Sequence, residues 1–179
     1  MSINCSYFSA PVDWVELHMF GDSSEENFYA VAFLRARKKT SLETQVAFVF
    51  GKARVALTKA LSIPKLELQN ALLATRLKDD ILKAPTIPVS NTFMWTDSTT
   101  VLQWLNSGSE QLTFVANRRG EILETTTVDQ WFHVSSGDNP ADTGTRGISA
   151  ESLKTSIWVN GPSLLKNGEW LFKPSIEVL

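Results

Sequence analysis

Four carboxylates stand where the pattern of the chain changes. Asp22 closes an apolar run and is followed by Ser23 and Ser24. Glu67 falls in the first turn of a segment with helical spacing, Asp97 follows Thr92–Trp95, and Asp142 comes two residues after Pro140. Strand ends and helix starts are where sites gather in open α/β sheets. Four carboxylates in one place cannot all stay ionised without counter-charge. Two divalent cations on the order of 4 Å apart would supply it, and such a pair cleaves phosphodiesters, one ion activating a water and the other stabilising the leaving oxygen. The ligands are hard oxygens, and the chain has 1 Cys and 2 His. Two Mg2+ or Mn2+ ions on Asp22, Glu67, Asp97 and Asp142 are therefore expected, rather than zinc.

Each acid also has a plainer explanation. Asp22 with Ser23 and Ser24 suits a turn. Asp97 suits a helix cap, Glu67 a helix dipole, and Asn139-Pro140 with Asp142 an ordinary helix start. Their order and context set them apart from isolated acids.

The elements that would position them are legible from periodicity. Trp14–Asp22 alternates as a strand, with Val15, Leu17 and Met19 on one face and Glu16, His18 and Phe20 on the other. A polar turn at Ser23–Asn27 leads to a second strand, Phe28–Arg35, and a basic loop of Arg35, Arg37, Lys38 and Lys39 leads to a third within Thr44–Ala56. Leu66, Leu73, Leu77 and Ile81 mark a helix over Pro64–Ala84. Then come a strand at Thr92–Trp95, helices at Ser98–Trp104 and Phe114–Thr125, a strand at Trp131–Val134 and a helix from Pro140. Three hairpin-connected strands followed by crossover units predict an α/β fold, a five-stranded mixed sheet flanked by helices. Glu67 shares its helix face with Asn70, Ala71 and Ala74, small enough for close approach to the sheet.

The chain has 179 residues and is 43% hydrophobic and 20% charged, the balance of a globular domain. No apolar run is long enough to span a membrane, and Met1–Ala10 lacks the features of a signal peptide. One cysteine excludes an internal disulfide. The net charge of -2 is unlike that of a free-standing nucleic-acid binder, so affinity for phosphates would need a local patch or a neighbouring domain. Arg118 and Arg119 are the first choice for that patch. Arg35, Arg37, Lys38, Lys39, Lys52 and Arg54 are either a second or a solvated strand edge. Trp95, Trp104 and Trp131 fit the core, Trp14, Trp158 and Trp170 are open, and His133 lies within a strand and reads as structural.

The wording around the acids carries a resemblance. Leu17–Ser24, Ile63-Pro64-Lys65-Leu66-Glu67-Leu68, Trp95–Leu105, Phe114–Arg118, and Trp131–Val134 with Asp138–Asp142 and Arg146-Gly147 resemble, in order, motifs of the ribonuclease H domain of Bel/Pao-type LTR retrotransposon polyproteins. Trp158–Pro162 is similar to the segment leading toward their integrase region. The resemblance implies a ribonuclease H-like fold over residues 14–150, with 151–179 as an extension or linker toward the integrase region. It implies hydrolysis of the RNA strand of RNA–DNA hybrids during reverse transcription, with Asp22, Glu67, Asp97 and Asp142 as the metal-binding catalytic acids. Ser23, Ser24, Ser98, Asn139, Arg118, Arg119 and Arg146 become the expected nucleic-acid contacts. Partners would be the hybrid and the reverse transcriptase and integrase regions of a parent polyprotein, with no membrane. The setting would be a cytoplasmic virus-like particle, or the nucleus. Two departures stand out: Ser23 replaces a frequent Ala, and Ser135–Asp138 offers no counterpart of the mobile loop His of cellular ribonucleases H. The competing reading is a domesticated or tethering module of the same fold that binds nucleic acid or protein without cutting.

Overall fold

Apolar alternation from Val12 onward builds the central strand, and both of its faces are covered. The computed structural model describes residues 7–8, 11–39, 43–55, 61–84, 87–107 and 112–168. Strands β1 (Val12–Ser23), β2 (Asn27–Lys38), β3 (Thr44–Val55), β4 (Asn91–Thr96) and β5 (Trp131–His133) form one sheet in the order β3-β2-β1-β4-β5. The first three strands pair antiparallel, and β1–β4 and β4–β5 pair parallel. This is the expected five-stranded mixed sheet.

Helix α1 (Ile63–Leu82) covers one face. Pro64 suits its first turn, where the missing N–H costs nothing, and Leu66, Leu73, Leu77 and Ile81 bury against Val15, Leu17 and Met19. Helices α2 (Thr99–Asn106) and α3 (Thr113–Thr125) extend that layer. Buried Lys78 donates to the Thr125 carbonyl, tying α1 to the end of α3.

The other face of β1, which carries Glu16, His18 and Phe20, is covered as well. Phe20, Phe33, Trp95, Val134, Ala141 and Leu165 form a second buried cluster there. It lies beneath α4 (Pro140–Arg146), α6 (Ile157–Asn160) and α7 (Ser163–Asn167), while the short α5 (Ala150–Leu153) between α4 and α6 buries no residue. Glu16 and His18 are buried too. A sheet sandwiched between helices needs apolar or paired residues on both sides. Packing therefore continues past the boundary expected at residue 150. A Cβ on Gly51 would sit 2.7 Å from the Trp158 ring, and Leu165 is fully buried. Residues 169–179 of the expected extension, with Trp170, lie outside the described residues.

The basic loop also resolves differently. Arg35 is inside β2 and buried, with Nη1 2.9 Å from Glu16 Oε2. Arg37 pairs with Asp13, Lys38 with Glu43 and Lys52 with Asp80. The stripe is largely neutralised, as in a charged edge that discourages strand pairing. Trp95 and Trp131 are buried as expected, and Trp104 packs half-buried on the α1 core. Of the open tryptophans, Trp158 packs against the second cluster, and Trp14 lies under the Arg35 and Arg37 guanidinium groups.

Candidate active site

The parallel pairing of β1 with β4 sets the level of the first and third acids. Phe20 is paired with Trp95, so two residues further along each chain Asp22 stands level with Asp97, both at the C-terminal edge where sites form in parallel strands. Gly21 lets α1 approach that edge. A Cβ there would lie 2.6 Å from Asn70 Nδ2 and 3.8 Å from Ala74 Cβ. Glu67, one turn before Asn70, is thereby carried to the same end of the sheet.

Serine hydroxyls hold two of the acids. Ser98 caps α2 by accepting from the Val101 N–H at 3.1 Å, and its Oγ donates to Glu67 Oε2 at 2.5 Å. Ser136 Oγ donates to Asp97 Oδ2 at 2.9 Å. Burial pushes the Glu67 carboxyl above its ordinary range; the Ser98 hydrogen bond opposes the rise and the Asp97 charge adds to it. Glu67 and Asp97 are thus electrostatic neighbours.

The fourth acid sits in the third position of α4. Asn139 caps that helix, its Oδ1 accepting from the Ala141 N–H at 3.1 Å, while its Nδ2 donates to the Gly21 carbonyl at 3.0 Å. Asp142 pairs with Arg146, whose Nε is 3.0 Å away. Among the described residues, no three His, Cys, Asp or Glu side chains are gathered closely enough to hold a metal ion together. The acids share one end of the sheet, yet Glu67, Asp97 and Asp142 each turn to a proton donor of their own.

The family model of the Pao retrotransposon-like RNaseH-like domain matches residues 2–98. The chain belongs to that family. The match spans Asp22, Glu67 and Asp97 of this Pao-like domain; Asp142 lies beyond it. No curated protein matches the chain. Among solved structures, it is similar to RNase H1 from the halophilic archaeon Halobacterium salinarum NRC-1, with 16% identity, TM-score 0.45, and coverage of 80% of this chain and 100% of that one. It is also similar to the N-terminal RNase H domain of a Mycobacterium tuberculosis protein fused to maltose-binding protein, with 10% identity, TM-score 0.42, and coverage of 88% and 96%. LC11-RNase H1 in complex with RNA/DNA hybrid aligns with 10% identity, TM-score 0.34, and coverage of 72% and 91%.

The donor types at these strand ends are those a hard divalent cation takes. Carboxylate and hydroxyl oxygens surround the strand ends, and two buried side-chain atoms without a hydrogen-bond partner, Ser23 Oγ and Asn70 Oδ1, stand within one residue or one helical turn of Asp22 and Glu67. Buried polar atoms are seldom left unpaired.

The expected nucleic-acid contacts separate into groups. Ser24 closes the β1–β2 turn, accepting from the Asn27 N–H at 3.1 Å. Ser98 and Asn139 are buried and occupied as described. Arg146 is exposed but paired with Asp142. Arg119 turns inward to the Trp104 and Leu105 carbonyls at the end of α2, at 3.0–3.3 Å. Arg118 differs: it lies over the Phe114 ring, donates to Gln69 at 3.0 Å, and lines a groove of about 410 Å³ with Arg54 and Arg76. His133 is exposed on β5 rather than built into the core. The sequence reading assigned Ser136 no role and placed Asn70 beside Glu67 only as a small neighbour. Ser136 has no sequence signal, whereas Asn70 is a polar residue on an otherwise small, apolar helix face.

Proposed function

We propose that this domain hydrolyses the RNA strand of RNA–DNA hybrids, using two divalent ions, Mg2+ or Mn2+, held by Asp22, Glu67, Asp97 and Asp142. The observation that carries the reading is the level placement of Asp22 and Asp97 at the ends of neighbouring parallel strands, with Glu67 brought beside Asp97 through Ser98. When bound, the ions would supply water activation and stabilisation of the leaving oxygen. The chain's own residues do the rest. Ser98 and Ser136 orient the Glu67 and Asp97 carboxylates through their hydroxyls. Asn139 holds α4, and with it Asp142, onto β1. Arg118 and Arg54 offer guanidinium groups to backbone phosphates along the groove, where Phe114 adds an aromatic face, while Arg76 at its edge is paired with Glu121.

This local patch stands in for the basic surface that a net charge of -2 denies the whole domain. Further affinity would come from reverse transcriptase and integrase regions of a parent polyprotein, in a cytoplasmic particle or in the nucleus.

One observation favours a second reading, a tethering module that binds without cutting. No three acids are drawn together among the described residues. The two readings part on a single test, a hybrid labelled on either strand and incubated with Mn2+. Shortening of the RNA label alone supports hydrolysis. Retention of hybrid with both strands intact supports tethering.

A further inference from the structure

The residue before Asp22 is flanked on two sides by buried amides, one packed closely against it and one hydrogen-bonded to it. On the α1 side, Asn70 Nδ2 lies so close to Gly21 that a Cβ there would be 2.6 Å away. On the α4 side, Asn139 Nδ2 donates to the Gly21 carbonyl at 3.0 Å. Asn70 is 3% exposed and Asn139 0%. The spacing is suggestive in itself. Asn70 follows Glu67 by three residues, Asn139 precedes Asp142 by three, and Gly21 precedes Asp22 by one. Each amide stands within one helical turn of its own acid. The Gly21 peptide is therefore the common reference of three of the four acids.

Packing alone does not account for these side chains. Asn70 Oδ1 is buried without a partner, at a cost on the order of 1–3 kcal/mol. Alanine, the best helix former, would fit beside Gly21 without that penalty. Asn139 does cap α4, but serine or aspartate caps equally well and neither can donate from Nδ2 to the Gly21 carbonyl.

We propose that Asn70 and Asn139 are positioning residues that register Glu67 and Asp142 against Asp22 through the Gly21 peptide, and so set the spacing of the cation site. This rests on the metal-dependent reading above. Residues behind a metal ligand are typically worth about 10–100-fold in affinity.

The test is Mn2+ binding to the full chain without nucleic acid, read by electron paramagnetic resonance, with hybrid cleavage and thermal melting run in parallel on Asn70→Ala, Asn139→Ser and Gly21→Ala. Asn139→Ser keeps the cap and loses the reach. The expected result is about tenfold or more weaker Mn2+ binding in each variant. Turnover should fall while the Michaelis constant for hybrid stays put. The melting temperature of Asn70→Ala should be equal to or above that of the wild type, which a merely structural asparagine would not give. Unchanged Mn2+ affinity in folded Asn70→Ala and Asn139→Ser overturns the proposal, as does a wild type that binds no Mn2+. A wild type that binds Mn2+, weakens as expected in the variants and yet leaves the hybrid uncut overturns the hydrolytic reading and leaves the positioning role standing.

Discussion

Trp95 Nε1 donates to His18 Nδ1 at 3.1 Å. An indole N–H can only donate, so Nδ1 is the acceptor, and the ring's own proton sits on Nε2, 3.3 Å from Glu16 Oε2. Glu16 also accepts from Arg35, whose Nε donates to the Leu165 carbonyl at 2.7 Å. One buried chain thus links β4, β1, β2 and α7.

The chain makes stability depend on pH. Burial lowers the His18 pKa below its usual value of about 6.5, against the pull of Glu16 and with the push of Arg35. Burial raises the Glu16 carboxyl, but hydrogen bonds from His18 and Arg35 overcome this and hold it below its ordinary range. With His18 neutral, Arg35 is the main support of the Glu16 charge. Both groups have depressed folded pKa values, so the sign is the same for both. The unfolded chain takes up the His18 proton below about pH 6.5 and the folded chain only at lower pH. Stability should be full above about pH 6.5 and fall as pH drops toward the folded value, with Glu16 adding its loss below about pH 4.3. Melting temperatures measured from about pH 8 to 5 should show this decline. His18→Gln should be less stable throughout and flatter over that range. An equal slope in the variant would assign the decline elsewhere.

Truncation after Ser149 should cost the domain its fold or much of its stability. It removes fully buried Leu165, worth about 1.5–3 kcal/mol, and the carbonyl that receives Arg35, leaving a buried guanidinium short of a partner at about 1–3 kcal/mol. It also uncovers Phe48 and Gly51, where Trp158 packs. A truncated chain melting within a few degrees of the full one would show that α5–α7 are an appendage.

Arg118 and Arg119 should behave oppositely despite being neighbours. Arg118→Glu should raise the Michaelis constant for hybrid with little change in turnover, and lower the salt slope of binding by about one. Arg119→Ala should leave hybrid affinity alone and cost about 1–2 kcal/mol of stability, since its guanidinium serves the carbonyls at the end of α2. Steady-state kinetics with parallel denaturation curves separates them, and a reversed pattern would move the contact surface.

Much of this was legible before the structure. The Val15, Leu17, Met19 alternation and the Leu66, Leu73, Leu77, Ile81 stripe report one core, and the acids announce themselves at element ends. The second core was hidden because periodicity tells what a face carries, never what lies over it. Glu16, His18 and Arg35 look like solvent-facing polar residues until Trp95 and Leu165 supply their partners from 77 and 130 residues away. Arg119 was unreadable for the same reason: its helix phase could not show that the carbonyls of α2 lie within reach.

The most direct measurement of the central claim is cleavage of an RNA–DNA hybrid, labelled on the RNA strand, by wild type and by Asp97→Asn with Mg2+ or Mn2+. Asparagine preserves shape and can still accept from Ser136, but it removes a charged ligand and relieves the repulsion with Glu67. The account predicts RNA-strand cleavage by wild type only with a divalent ion, and background levels from a folded Asp97→Asn chain that melts at or slightly above the wild-type temperature. Cleavage by folded Asp97→Asn at the wild-type rate, or wild-type cleavage undiminished by a chelator, would contradict it.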